Sequence, residues 1–158
     1  MTLAYVALGA NLDDPAATVL AAFGALANLP DSRLVHTSSL YRTAPVGIAA
    51  QPDFINAVAA LETLLAPADL LEALFDLEHR FGRIRAEKNG PRTLDLDLLL
   101  YGELEFDLPQ LTLPHPRLHL RAFVLHPLAE IAPDLCLPRR GNIAAWLPAV
   151  ANQGIVRL

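Results

Sequence analysis

The chain is poor in the residues that define several large protein classes. Cys136 is the only cysteine among 158 residues, which leaves no internal disulfide and no cysteine-based zinc site. Aromatic residues make up 6% and charged residues 18%, against 53% hydrophobic. That balance excludes disorder and supplies the apolar mass for one core of single-domain size, so residues 1–158 are read as one domain. No uninterrupted apolar run approaches the length of a bilayer span, and no basic segment leads into an apolar core after Met1. A cytoplasmic protein is expected. With a formal net charge of −5, the chain lacks the positive surplus of a general nucleic-acid or anionic-membrane binder, so neither partner is expected. It also lacks both glycine-rich phosphate signatures, GxxxxGK[ST] and GxGxxG, which sets aside P-loop kinases and dinucleotide enzymes. Phosphate would have to be held by side chains and metal.

What is present centres on Lys88 to Tyr101, KNGPRTLDLDLLLY. Gly90 and Pro91 are turn residues, and the apolar run after them reads as a strand. Side chains alternate faces along a strand, so Leu94, Leu96, Leu98 and Leu100 are expected to point one way, and Thr93, Asp95 and Asp97 the other. Two aspartates on one strand face repel each other. At about 3.3 Å rise per residue their Cα atoms stand roughly 7 Å apart, a spacing that lets two carboxylates share one Mg²⁺ or straddle a pair. Alternating polar residues also occur on any half-exposed edge strand. The residues upstream favour the metal. Arg80, Arg83, Arg85, Lys88 and Arg92 place five of the twelve cations just before the acidic strand. Cations that hold phosphate oxygens, next to carboxylates that hold a bridging metal, make a metal–polyphosphate site.

From the start, Leu3 to Leu8 is apolar on both faces, as in a central strand. Asp14 offers an N-cap and Pro15 a first helical position. The helix is expected to run to about Leu29 with Val19, Leu20, Phe23, Leu26 and Ala27 buried, stopped by Pro30. Arg33 to Tyr41 reads as one strand with His36 on its face rather than at a metal, and Thr43 to Pro52 as a loop. Phe54 to Thr63 is a third strand that puts Phe54 and Asn56 on one face. An aromatic surface beside an amide with both donor and acceptor suits a flat heterocycle, although such an amide is commonly a strand-end partner. A second helix opens at Pro67, buries Leu70, Leu71, Leu74, Leu77 and Phe81, and is capped by Gly82. Glu78 beside that stripe would face the basic loop. Short strands are expected between Gly102 and Leu113. His115 is held extended between prolines, a helix starts near Arg121, and Pro127 should kink it or begin another. One more helix and a terminal strand or coil would end the chain. The order β-α-β-β-α-β is the ferredoxin-like pattern, with two helices on one sheet face and the C-terminal third covering part of the other, an α+β class extended into an α/β/α sandwich.

At this point a resemblance appears. KNGPRTLDLDLLLYG closely resembles the signature of the 6-hydroxymethyl-7,8-dihydropterin pyrophosphokinase family of folate biosynthesis. YVALGANL, SSLYRTAPVG, QPDFINAVAALET, LEHRFGRIR and LPHPRLHLRAFVLHPLAEIAP are similar to family blocks and stand in family order. The resemblance implies the ferredoxin-like fold and transfer of diphosphate from ATP to the pterin hydroxymethyl oxygen, with AMP released. By the same resemblance Asp95 and Asp97 bind two Mg²⁺ ions. Arg83 and Arg92 grip the transferring phosphates, with Arg85 and Lys88 nearby. Glu78, Leu98, Thr112, His115 and Arg121 complete the ATP site. Phe54 and Phe123 sandwich the pterin, Asn56 bonds its edge, Asp95 lies beside it, and the segment of Thr43, Pro45 and Val46 binds the other side. A monomer is expected.

Three positions depart from the better-known pattern: Asn89 in place of an aromatic near the nucleotide, Ala44 in place of a proline, and Pro116 in place of a tyrosine. Altered affinities with an unchanged reaction are expected. Two other readings fit parts of the chain. A ferredoxin-like regulatory module would bind a small molecule without chemistry, but has no need of paired carboxylates opposite an arginine loop. A Mg²⁺-dependent nucleotidyltransferase or nuclease would use the DxD and the cations, but should be more basic and has no use for a pocket of Phe54, Asn56 and Phe123.

Overall fold

Unbroken apolar runs and helical apolar stripes sort this chain into a sheet with helices on both faces. The computed structural model describes residues 1–45, 50–82 and 93–158. Among the residues singled out from the sequence, Val46, Arg83, Arg85, Lys88, Asn89, Gly90, Pro91 and Arg92 lie outside the described residues. The elements are β1 (Thr2–Ala10), α1 (Pro15–Ala27), β2 (Ser32–Thr37), β3 (Tyr41–Thr43), β4 (Phe54–Thr63), α2 (Pro67–Arg80), β5 (Asp95–Tyr101), β6 (Phe106–Leu108), β7 (Leu111–Leu113), α3 (Ala122–Ile131), β8 (Cys136–Leu137), β9 (Gly141–Asn142) and β10 (Ile155–Arg157). Short 3₁₀ turns occupy Leu118–Leu120, Ile143–Trp146 and Pro148–Val150.

The main sheet has six strands in the order β10-β3-β4-β1-β5, with β2 also paired to β4. Its pairings are antiparallel. β2 and β3 lie end to end along the same side of β4, against Ala59–Thr63 and Phe54–Asn56 respectively. Counted as one strand, they complete the ferredoxin-like order. β1 is central, as its two-faced apolar run requires.

Each sheet face has its own core. Ala4, Val6, Leu8 and Ala10 of β1 pack with Ile55, Ala57, Ala59 and Leu61 of β4 under α1 and α2, which contribute Val19, Phe23, Leu26, Leu70, Leu74 and Leu77. On the other face Tyr5, Ala7, Val58 and Ala60 meet Val124, Leu125 and Leu128 of α3. The caps form as the sequence indicates. Asp14 accepts from the Ala17 backbone N–H at 3.2 Å ahead of Pro15. Gly82 takes φ +80° just beyond α2, a left-handed conformation that suits glycine.

Several expectations change. The strand expected from Arg33 to Tyr41 is broken at Ser38, whose hydroxyl accepts the Val58 N–H at 2.9 Å and so replaces a ladder bond. Leu20 and Ala27 of α1 are exposed rather than buried, because the buried stripe falls on Val19, Ala22, Phe23 and Leu26. Leu100 does not share a face with Leu94, Leu96 and Leu98. A bulge pairs Tyr5 with Leu100 but Val6 with Leu98, so Leu99 and Leu100 both join the core under α3. α3 runs through Pro127 without a second helix starting there. The expected last helix is two short turns, and β10 returns to the sheet edge beside β3. Among the described residues no helix is long and apolar enough to cross a membrane.

Candidate active site

Directly opposed residues of antiparallel strands point to the same face, and here that rule assembles the site across three strands. Gly9 of β1 lies opposite Asn56 of β4 on one side and Asp95 of β5 on the other. One step along, Ala7 lies between Val58 and Asp97. The DxD pair therefore shares a face with Phe54 and Asn56, and the floor between them carries only Ala7 and Gly9. A Cβ built on Gly9 would stand 3.0 Å from Asn56 Oδ1, so glycine keeps that floor open. Asn56 and Thr43 are both buried, and Asn56 Nδ2 donates to Thr43 Oγ1 at 2.8 Å. Thr43 in turn pairs with Phe54 across β3 and β4.

β5 is an edge strand, and two neighbours work on its outer side. Glu78 of α2, 2% exposed, accepts the Leu96 N–H at 2.8 Å through Oε2. The bond holds the residue between the two aspartates. The His115 N–H donates to Leu99 O at 2.9 Å, which brings the proline-flanked segment alongside. His115 Nδ1 accepts the Arg117 N–H at 3.2 Å. Burial, then the cations Arg121 and Arg117, pull its pKa down to about 4 against the opposing charge of Asp95. The imidazole is thus neutral near pH 7, with its proton on Nε2 as a donor. Arg121 Cζ lies 5.4 Å from the centre of the Phe123 ring, close enough for a cation–π contact.

A cleft of about 270 Å³ opens beside β5, between α2 and the β6–β7 hairpin. Asp97, Leu98, Thr112 and His115 line it, so four of the site residues implied by the resemblance come together there, beside Pro116. Asp95 and Arg121 lie near enough to act electrostatically on His115. Phe54, Asn56 and Thr43 form the neighbouring group across Gly9, with half-buried Pro45 just past β3. Half-buried Phe123 opens α3 and packs against the core of that same sheet face. Glu78 stands apart from the cleft lining, with its carboxylate turned onto the β5 backbone. His36 is exposed on β2, in agreement with a strand-face role.

Sequence reasoning missed Leu71, Phe75, Pro109, Gln110 and Leu111, which also line the cleft. Phe75 carried a signal: it is an aromatic 37% exposed on the flank of a helix, four residues after Leu71. Leu71, expected in the buried stripe, is half-buried and turned to the cleft, while Leu70, Leu74 and Leu77 fill the core.

The donor set suits one kind of metal. Among the described residues no three His, Cys, Asp or Glu side chains gather as a ligand group. Two carboxylates two positions apart fit Mg²⁺, which keeps several waters and takes phosphate oxygens.

Residues 5–133 match the family model of 7,8-dihydro-6-hydroxymethylpterin-pyrophosphokinase. A Pseudomonas aeruginosa protein named 2-amino-4-hydroxy-6-hydroxymethyldihydropteridine pyrophosphokinase is 53% identical over 98% of this chain and 95% of its own length. A Haemophilus influenzae protein of the same name is 44% identical over 100% of this chain and 99% of its own. Among solved structures, a Plasmodium falciparum HPPK-DHPS with pteroate superposes with a TM-score of 0.76 at 14% identity. It matches 93% of this chain, which spans only 42% of that longer protein, so the likeness concerns the fold. A family match over most of the chain, joined to relatives at 44–53% identity along its full length, shows that this chain belongs to the 7,8-dihydro-6-hydroxymethylpterin-pyrophosphokinase family.

Proposed function

We propose that the chain transfers the terminal diphosphate of ATP to the hydroxymethyl oxygen of 6-hydroxymethyl-7,8-dihydropterin, releasing AMP, with two Mg²⁺ ions held through Asp95 and Asp97. The observation that carries the reading is the register at Gly9, which sets Asn56 and Asp95 on either side of one side-chain-free position. A flat ring bonded to Asn56 then has its substituent near the carboxylate pair. When bound, the metal would neutralise charge on the phosphate oxygens of the transferring and leaving groups.

The chain's own residues do the rest. Asp97, Leu98, Thr112 and His115 hold the nucleotide in the cleft beside β5, with Leu71 and Phe75 as its apolar wall. Neutral His115 donates from Nε2 to a phosphate oxygen, and Arg121 adds a fixed positive charge. Phe54 and Phe123 cover the two faces of the pterin, and the segment from Thr43 through Pro45 and Val46 bounds its far edge. Arg83 and Arg92, with Arg85 and Lys88, grip the transferring phosphates, and Glu78 supports the acidic strand. The chain works as a single-domain monomer in the cytoplasm, with no nucleic-acid or membrane partner.

Product analysis tests this. With ATP, Mg²⁺ and the pterin, AMP should form in step with pterin diphosphate, and only when the pterin is present. ADP would mean transfer of a single phosphoryl group and a different phosphate register. Pterin binding without turnover would favour a regulatory module.

A further inference from the structure

We infer that Gln153, on the C-terminal tail, is a positioning residue: its neutral carboxamide brackets Arg121 and sets the directions in which Arg121 and Phe123 leave the start of α3. This rests on the reading above that Arg121 meets the nucleotide and Phe123 the pterin.

The start of α3 is made from a residue that serves a helix badly. Arg121 stands at the N-cap with extended backbone, φ −121° and ψ 117°, and its side chain caps nothing. A guanidinium has no acceptor to offer the free N–H groups of a first turn. Its charge also has the wrong sign for a helix N-terminus, where the peptide dipoles favour an anion, and the first turn holds no acidic residue. A residue so ill-suited to the helix belongs there for what it does in the site. The turn has to be held by other means.

Gln153 supplies them from the far end of the chain. Its Oε1 accepts the Ala122 N–H at 2.9 Å, and its Nε2 donates to Leu120 O at 3.0 Å. Those two groups belong to the two peptide units that flank the Arg121 Cα. One amide thus holds both, and with them the backbone angles that aim the Arg121 side chain. A carboxamide suits the task because it carries donor and acceptor on one planar group. Ala122 is 1% exposed, so without Gln153 its N–H would be left buried and unpaired.

The clamp is itself anchored. The Gln153 N–H donates to Val150 O at 3.0 Å, and Val150 lies in the core under α3. Two residues further on, Ile155 opens β10 and lies opposite Thr43 of β3. From the bracketed turn Arg121 acts electrostatically on His115 at the cleft, and its Cζ lies 5.4 Å from the centre of the Phe123 ring. A single clamp therefore serves both substrates, aiming a cation at one and an aromatic face at the other.

Neutrality matters for the same reason. A carboxylate would complement the helix dipole better, but a negative charge one peptide unit from Arg121 would compete with phosphate for the guanidinium. The amide caps the turn and leaves the cation to the nucleotide.

The test compares Gln153→Leu, which removes both bonds, with Gln153→Glu, which keeps the acceptor and adds a charge. Affinity is read by titration with a non-hydrolysable ATP analogue and Mg²⁺, then with 6-hydroxymethyl-7,8-dihydropterin on the analogue-bound protein. The melting temperature of each variant is measured alongside. Wild-type AMP release and the analogue affinity of Arg121→Ala judge the reading of the site, and the ratios between Gln153 variants judge only the clamp. Gln153→Leu should weaken both ligands about five- to tenfold and lower the melting temperature. Gln153→Glu should keep the melting temperature and weaken the ATP analogue by a similar factor. In an Arg121→Ala background that second effect should shrink to within about twofold, since the charge it opposes is gone. A Gln153→Leu protein that melts lower but binds both ligands as the wild type does would overturn the inference, because Gln153 would then be a structural cap only. Wild-type nucleotide affinity in Gln153→Glu would overturn it equally. Should Gln153→Leu fail to fold, Gln153→Glu with and without Arg121→Ala decides the matter, since it keeps the bond to Ala122.

Discussion

Glu78 accepts the backbone N–H of Leu96 at 2.8 Å, and Leu96 is the residue between Asp95 and Asp97. A buried carboxylate on α2 thus fixes the start of the strand on which both carboxylates ride. Among the described residues β5 is a sheet edge, so this N–H has no strand partner there. Removing the acceptor leaves a buried donor unpaired, which costs about 1–3 kcal/mol.

Glu78→Ala should therefore lower the urea midpoint by an amount in that range, and reduce kcat by loosening the aspartates. Glu78→Gln keeps an oxygen acceptor and should lose less on both counts. Unfolding curves and kcat measured together check this. A raised KM for ATP with an unchanged unfolding midpoint would show that Glu78 acts on the nucleotide and not on the strand.

Asp97→Ala should abolish transfer with the fold intact. Asp97 borders the cleft and shares a face with Asp95, so its loss relieves repulsion between like charges while removing the proposed Mg²⁺ ligand. Loss of metal-based charge stabilisation is worth several kcal/mol, so kcat should fall by about a thousandfold or more. Pterin affinity should fall much less, because Phe54 and Asn56 remain. Turnover near the wild-type level would remove the metal role from Asp97.

Much of the frame was legible because it is local. The two-faced run at Leu3–Leu8, the Asp14–Pro15 cap, the strand at Phe54–Thr63 and the Gly82 stop each rest on a few adjacent residues. The facing of Asp95 and Asp97 followed from alternation alone. Features set by distant partners were not legible. Ser38 breaks its strand through a bond to Val58, the bulge at Leu99 arises from pairing with β1, and the cleft joins Phe75 of α2 to Gln110 of a hairpin. The tie between Thr43 and Asn56 spans thirteen positions. Nothing in either residue's neighbourhood announces it.

The Tyr41–Glu130 pair predicts how stability varies with pH. Burial pushes the Glu130 carboxyl up, but hydrogen bonds from Tyr41 and Ser39 and the Arg157 charge outweigh it and hold it below the ordinary value of 4.5. Burial, then the bond to Glu130 and its charge, raise Tyr41 to about 12. A lowered carboxyl pKa contributes stability that is present above 4.5 and lost as pH falls through the folded-state value. A raised phenol pKa contributes stability that is full below pH 10 and lost as pH climbs toward 12. Tyr41→Phe should cost about 1–2 kcal/mol at pH 7 and flatten the alkaline loss. Melting temperatures from pH 3 to 11 for wild type and Tyr41→Phe check both arms, and parallel alkaline limbs would refute the coupling.

His115 gives a prediction of opposite origin, because its folded-state pKa is lowered to about 4 by burial and then by Arg121 and Arg117. Between that value and the ordinary 6.5 the unfolded chain binds a proton that the folded chain refuses, so stability declines as pH falls through that window. The same shift keeps the ring neutral throughout the physiological range, with Nδ1 engaged by the Arg117 N–H and Nε2–H free to donate. In the protein without nucleotide, the His115 ring resonances should stay unchanged from pH 8 to about 5 and move only near 4. His115→Ala should raise the KM for ATP several-fold, with a smaller effect on the pterin. A ring that titrates near 6.5 would mean that the segment between Pro114 and Pro116 does not hold the imidazole against β5, and the donor role of Nε2 would fall with it.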